Sequence, residues 1–398
     1  MIAQFAIGGA LIPFVTILFR ERGLSYGEIS LVFLGGALLA TFLPSLWGML
    51  ADRYIAINRL FALLNAGSFA ALAVFAFQSQ FIPILVSYLA FALCFQPTLH
   101  LINPLSYHYL KDPKTQFGSL RAWGSFGWII PSGLVFLVFS IQRDAQVGFT
   151  PILAMACAAV AGAFALLLPT ATPGARQQDS GVNALPYREA LGTLLKNPDY
   201  LVLLFSFFLI ASSFTALVLF SPPFLQERGV PVRWIGPIQS VGVVFEVIAL
   251  PSLKALLRKR GYLFSLLLGA GCLLLRHALY LFVDNLWVLS LSYVLAGMVI
   301  VYFHIAASLL VNEIAAPSVR ATAQTLMVTL GSGLGPVLLF AATWKVSSND
   351  PDNLHGIFVI ATLVAGAAFL LIALRGRKLD QAAAHLRSKD CETARGAP

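Results

Sequence analysis

Leu43-Pro44-Ser45-Leu46 comes late in the second long apolar run of the chain, and Leu250-Pro251-Ser252-Leu253 comes late in the eighth. The spacing between these two tetrapeptides also carries Gly124-Ser125, in the fifth run, onto Gly331-Ser332 in the eleventh. Either match alone is cheap. A single offset that joins equivalent runs twice is what a parallel internal repeat of two six-helix units predicts, an arrangement found in transporters that rock two halves around a midplane site.

The surrounding sequence fits such units. The chain has 398 residues, of which 59% are hydrophobic and 11% charged, and its mean hydropathy of +0.83 excludes a water-soluble surface. Apolar runs of about 20 residues, the length that crosses ~30 Å of hydrocarbon, recur throughout. They are continuous, without the alternation of a barrel strand, so they read as helices that satisfy their own backbone in lipid. We place them at 2–19, 29–51, 60–77, 81–105, 120–140, 149–168, 200–220, 235–257, 262–283, 286–311, 321–344 and 356–374. The expected fold is an all-α membrane protein of twelve transmembrane helices in two six-helix halves, 1–169 and 199–375. A polar linker, 170–198, joins the halves, and a charged, partly disordered tail, 376–398, follows. The first run begins at Ile2 without a basic leader and reads as a retained helix.

Lys and Arg sort unevenly between alternate loops. One side collects Arg53, Arg59, Lys111, Lys114, Arg176, Arg188, Lys196, Lys254, Arg258, Lys259, Arg260, Arg320 and the basic residues of the tail. The other has Arg20, Arg22, Arg143, Arg228, Arg233 and Lys345. That bias places both termini and the linker in the cytoplasm, with the chain in the inner membrane. It also accounts for the net charge of +9 without a nucleic-acid partner. Cys94, Cys157, Cys272 and Cys391 are scattered, with no metal-ligand spacing, and no metal or cofactor is expected. HExxH and Gly-rich phosphate loops are missing and no G-x-S-x-G elbow is found, which speaks against an enzyme.

Charges inside the runs are few and therefore informative: Glu246 in the eighth, Arg276 in the ninth and Arg121 near the start of the fifth. An ionisable group at membrane depth costs at least ~2.5 kcal/mol and marks a polar interior. Counted from the cytoplasmic helix ends, Glu246, Arg276 and His304 fall at similar depths and could meet. A carboxylate whose proton affinity is set by burial and by a movable arginine is what proton coupling requires. Glu246 is thus the expected proton site, with Arg276 and His304 as its switch, against the plainer reading of a static Glu246–Arg276 ion pair. Arg121 and Trp128, seven apart, share a helix face and with Asn103 and Ser125 form the expected substrate wall; Gly124, Ser125 and Gly127 also suit close helix packing. Asp52-Arg53, after the second run, reads as a gate or conformational-switch contact.

At these residues the sequence becomes recognisable. Trp47-Gly48-Met49-Leu50-Ala51-Asp52-Arg53 resembles the loop motif of the major facilitator superfamily, with Tyr54-Ile55-Ala56-Ile57-Asn58-Arg59 in place of the usual glycine and basic residues. Phe117 to Trp128, with Pro97 to Asn103 before it, resembles the branch of bacterial nucleoside/proton symporters. Ser240 to Val247 and Phe303 to Ala307 are more similar to phenylpropionate permeases, and both groups to lactose permease. The resemblance implies that Glu246, Arg276 and His304 stand where lactose permease keeps an acid, an arginine and a histidine, and that Arg121 matches its substrate-contacting arginine. It departs at Asn103 and Ala307, which replace carboxylates, and at Phe214, Leu217 and Val301, where nucleoside symporters carry polar residues. The implied function is a proton-coupled symporter importing a small organic solute (a nucleoside, sugar or aromatic acid) by alternating access, working as a monomer in the lipid bilayer. Facilitated diffusion or export by the same fold is the alternative, and a receptor or intramembrane enzyme the alternative from another class.

Overall fold

The computed structural model describes residues 1–110, 113–142, 146–170, 187–347, 350 and 352–395. The first six apolar runs become α1 (Ile2–Glu21), α2 (Tyr26–Arg53), α3 (Ile57–Phe75), α4 (Phe81–Tyr109), α5 (Pro113–Ile141) and α6 (Thr150–Leu167). Helix α2 starts before the expected Ile29 because Ser25 and Glu28 close a capping box: the Glu28 amide donates to Ser25 Oγ at 3.2 Å and the Ser25 amide to Glu28 at 2.9 Å. These two bonds satisfy N-terminal donors that a helix leaves orphaned.

Part of the expected linker is helical. Residues 171–186 lie outside the described ones, but Tyr187–Leu195 is a helix, α7, amphipathic and too short to span. Next come α8 (Pro198–Glu227) and α9 (Ile235–Phe282). Helix α9 is twice the length a bilayer requires. It is broken at Gly261, whose φ of 79° and ψ of 179° only glycine adopts readily, so it makes two crossings with almost no loop. The tenth crossing is assembled from α10 (Leu286–Leu291), α11 (Tyr293–Val299), a π-helical turn at Ile300–Ile305 and α12 (Ala306–Ile314). The eleventh is α13 (Arg320–Val328), a second π turn at Thr329–Leu334 and α14 (Gly335–Ser347). Helix α15 (Leu354–Arg395) continues into the tail, where a partly disordered segment was expected. Eleven helices among the described residues are long and apolar enough to cross a membrane; with α9 counted as two, the crossings number twelve.

The helices group into two compact units. One contains Met1–Asp179, Ala216–Val243 and Val337–Ile357; the other contains Ser180–Thr215, Val244–Pro336 and Phe358–Pro398. In the first, α3 packs on α4 and α6, and α1 on α5 and α6. The α1–α5 contact is backbone on backbone: a Cβ on Gly9 would meet the Trp128 carbonyl oxygen at 2.5 Å, and one on Gly127 would strike Ile2.

Candidate functional site

In the first unit, the Gly9 and Gly127 contact presents α5 to α1 in a fixed register. Trp128, half-buried, lies with its ring edge against Gly8. One turn before it is the half-buried Ser125, and before that Arg121, whose guanidinium carbon stands 4.6 Å over the Phe5 ring. Gly124 leaves the space into which the guanidinium folds: a Cβ there would be 2.8 Å from Arg121 Nη1. Arg121 and Trp128 both turn toward α1, beside glycines, and the exposed Arg121 adds a cation–π contact of ~0.5–1 kcal/mol. Asn103, on α4, is half-buried, and its Oδ1 has no hydrogen-bond partner among the described residues. Beside Phe5, the buried Gln4 donates to Thr98 Oγ1, which in turn donates to the Phe95 carbonyl, while Gln4 Oε1 is left without a partner. Sequence reasoning passed over Gln4, although a lone amide within the first apolar run was the available signal. A cavity of about 840 Å³ nearby is walled by Ile2, Gln4, Phe61, Ile102, Trp123 and Phe164 among others; walls so apolar do not suit a polar solute. Asp52 and Arg53 form the last turn of α2, and their side chains lie outside the described residues.

The same unit holds a polar cluster that joins the first two helices to the end of α8 and to the segment before α15. Arg20 Nη2 meets Asp352 Oδ1 at 2.7 Å and Arg20 Nε meets Glu227 Oε1 at 3.9 Å. The guanidinium lies 4.5 Å over the ring of Tyr26, whose hydroxyl donates to Glu227 at 2.6 Å. Beneath it, Thr343 donates to Ser30 at 2.9 Å, both fully buried, and Phe33 packs on Phe220 and Phe340. The groups at this end of the unit satisfy one another. Its members were legible in sequence only as loop charges.

In the second unit the two π turns come together on α8. His304 sits in the first turn with Phe207, Phe214 and Phe303 around it, ring centroids 5.0, 5.6 and 5.7 Å away. Gly331, in the second turn, packs against the other side of Phe207. A π turn leaves backbone groups out of the ordinary ladder, and Ser265 compensates by donating to the Tyr302 carbonyl at 2.9 Å. Gly269 lets the second crossing of α9 approach the turn, since a Cβ there would meet Phe303 Cβ at 2.6 Å. His304 Nε2 nevertheless remains buried with no hydrogen-bond partner among the described residues. A ring nitrogen so placed lacks the hydrogen bond that a buried polar atom ordinarily makes.

Glu246 is half-buried near the middle of the first crossing of α9. Ser252, farther along that crossing, hydrogen-bonds the Tyr302 hydroxyl at 2.7 Å, so this crossing packs against the turn that carries His304, with Glu246 ~9 Å along the helix axis from that contact. Arg276 is elsewhere. It is 1% exposed, its guanidinium lies 4.0 Å over Tyr293, and Nε donates to Ser292 at 3.4 Å. About 16 Å of helix separates Tyr293 from His304, so Arg276 and His304 do not meet here. Nor does Arg276 form the static ion pair with Glu246: it has no carboxylate within 4.0 Å among the described residues, and its Nη2 lacks a hydrogen-bond partner. Residue counting from helix ends missed this because it ignores where a long side chain points.

His277, next to Arg276, was overlooked. It is fully buried, with Nε2 2.7 Å from Ser213 Oγ. Since Ser213 donates to the Ala361 carbonyl at 2.9 Å, the imidazole must donate through Nε2, leaving Nδ1 as a bare acceptor without a partner. The places where nucleoside symporters are polar are apolar here for a packing reason: Leu217 and Val301 are fully buried, and Phe214 is part of the box around His304.

Eleven helices long and apolar enough to cross a membrane, a helix-borne carboxylate and a buried histidine nitrogen with no partner among the described residues are the features of a multi-pass membrane protein. The chain belongs to the nucleoside H⁺ symporter family, whose model matches residues 1–380. It is 27% identical to the uncharacterized transporter YwbF of Bacillus subtilis, over 82% of this chain and 80% of that protein. It is 25% identical to the nucleoside permease NupG of Escherichia coli, over 88% of this chain and 87% of that one. The crystal structure of the nucleoside transporter NupG superposes with a TM-score of 0.79 at 21% identity, covering 94% of this chain and 96% of that chain. The fold is accordingly the major facilitator fold, with eleven to twelve apolar helices, and the protein is a proton-coupled symporter of a small organic solute.

Proposed function

We propose that the imported solute is a nucleoside, carried into the cell across the inner membrane, with both termini cytoplasmic. The observation that carries this reading is the match to the nucleoside H⁺ symporter model along nearly the whole chain. The residues suit the chemistry. Trp128 offers an aromatic face to a base, Arg121 and Ser125 offer donors along the same face, and Asn103 and Gln4 keep carbonyl oxygens able to accept from ribose hydroxyls. Glu246 is the proton site. Protonated, it loses the charge that resists movement through an apolar path; released inward, the proton contributes ~2.3 kcal/mol per 100 mV to solute accumulation. His304, beside the same crossing, is the group that responds to it, and Arg276 acts on the helix packing between α9 and α11 instead of touching either. Asp52 and Arg53 belong to the gate at the cytoplasmic end, and a single chain suffices for transport, with no catalysis.

The test is uptake of labelled uridine and adenosine into proteoliposomes that are acidic outside and negative inside. Concentrative uptake that Glu246→Gln abolishes, while equilibrative counterflow persists, is the expected result. Accumulation of a sugar or an aromatic acid with no nucleoside uptake would overturn the substrate and leave symport standing; full accumulation by the Glu246→Gln protein would overturn the proton site.

A further inference from the structure

The turn that divides α9 carries Lys254, Arg258, Lys259 and Arg260 within seven residues, all exposed. Among the described residues none of them has a carboxylate within 4.0 Å, and Arg260 lies over the Phe264 ring at 5.6 Å. Because Gly261 reverses the chain without a loop, the cations are held at the helix ends, at the level where hydrocarbon gives way to water. Immediately on the membrane side, Val247, Ile248 and Leu250 of one crossing and Phe264 of the next are exposed, which leaves apolar surface continuous with the charges.

The internal repeat shows that the fold does not require this. At the repeat offset, Lys254, Arg258, Lys259 and Arg260 correspond to Trp47, Ala51, Asp52 and Arg53. Four positive charges stand where the equivalent turn has a balanced pair. A topology signal is already supplied in the same half by Arg320 and the basic tail.

We propose that this turn is a binding site for an anionic phospholipid: the phosphate and acidic headgroup on Arg258, Lys259 and Arg260, with Lys254 at its edge, and the acyl chains along Val247, Ile248, Leu250 and Phe264. Clustered cations beside a membrane-spanning helix attract acidic lipid by ~1 kcal/mol per charge, and unpaired guanidinium groups bind phosphate bidentately. The occupant is a lipid and not free phosphate because the apolar surface continues from the charges into the membrane.

The experiment is native mass spectrometry of the full-length protein released from detergent with equal amounts of phosphatidylglycerol and phosphatidylcholine. The wild-type protein should retain phosphatidylglycerol several-fold over phosphatidylcholine, and the preference should fall to near unity in the Lys254→Gln/Arg258→Gln/Lys259→Gln/Arg260→Gln protein. Equal retention of both lipids by the wild type overturns the proposal without recourse to any variant. So does displacement of phosphatidylglycerol by millimolar inorganic phosphate, which would assign the cations to a soluble anion. Should the fourfold variant fail to insert, Arg258→Gln/Arg260→Gln must still lower the preference. Nucleoside uptake is a separate readout, so a failed lipid preference leaves the transport reading untouched, and the reverse.

Discussion

The cluster around Arg20 and Glu227 and the box around His304 are both polar groups set among aromatic rings, yet they are built to opposite rules. At the first, every charge has an answer: Arg20 meets Asp352 and Glu227, Tyr26 donates to Glu227, and Thr343 donates to Ser30. At the second, the backbone leaves the α-helical ladder, and His304 Nε2 is left bare among Phe207, Phe214 and Phe303. A satisfied network holds one arrangement. A buried ring nitrogen without a partner costs ~1–3 kcal/mol, and a ligand that supplies the partner is one explanation for its persistence. On the proposed reading the first cluster acts as a latch and the second as a working site, and changes at the two should damage different quantities.

The largest effect belongs to the working site. His304→Phe fills the box with a ring that cannot take a proton, and steady-state accumulation should fall tenfold or more while thermal stability holds or improves. Flux with the gradient collapsed is the discriminating control: if it falls equally, His304 serves binding and not coupling. Next, Gly269→Val should drive a branched side chain into Phe303 and displace the π turn. Overpacking of this kind costs ~1–3 kcal/mol, to be read as a lowered midpoint in a thermal shift assay. Ser213→Ala tests the neighbouring pair. It strands the His277 Nε2 donor, and the penalty of an unmet buried donor, ~1–3 kcal/mol, should exceed that of Ser206→Ala, whose hydroxyl bonds only its own helix.

The contrast between the two regions also explains what the sequence could reveal. Twelve crossings were legible because apolar length is a local property, and the one merged helix was foreseeable from Gly261, where the run is cut by Arg258-Lys259-Arg260. Close packing was legible in Gly124 and Gly127. The π turns were not: Ile300–Ile305 is ordinary apolar sequence, and its extra backbone width exists because Gly269 and Ser265, far away in the chain, accommodate it. The latch was hidden for the same reason. Arg20 and Asp352 are separated by most of the chain, and each alone reads as a loop charge. His304 was named from its place in an apolar run, whereas His277, more deeply buried, was lost beside the more conspicuous Arg276.

At the latch the predicted effects are smaller and concern the balance of states. Tyr26→Phe removes one hydrogen bond to a charged acceptor, worth ~1.5–3 kcal/mol when fully made, but Glu227 keeps contact with water and Arg20. A several-fold shift toward the arrangement open at that end is expected, measured as faster labelling of a cysteine placed at Gly27, with the proton-to-solute ratio unchanged. A changed ratio would mean that the latch takes part in coupling, and the comparison drawn above would fail.

The smallest effect is that of Asp352→Asn. The Arg20–Asp352 bond is short, but Asp352 is 73% exposed, and an exposed pair of this kind contributes ~0–1 kcal/mol because solvent and side-chain entropy offset the attraction. Arg20 also keeps Glu227 and the Tyr26 ring after the change. Labelling at Gly27 should therefore rise less than in Tyr26→Phe, and the difference from wild type should shrink as salt is raised from 10 mM to 1 M, since the Debye length then contracts from about 30 Å to about 3 Å. Tyr26→Phe should keep its effect over the same range, because the hydroxyl it removes is uncharged and its ring is buried. If both variants lose their effect in salt, the latch is held by surface charge; if neither does, it is held by the buried aromatic and hydroxyl contacts beneath it, with Arg20 only covering them.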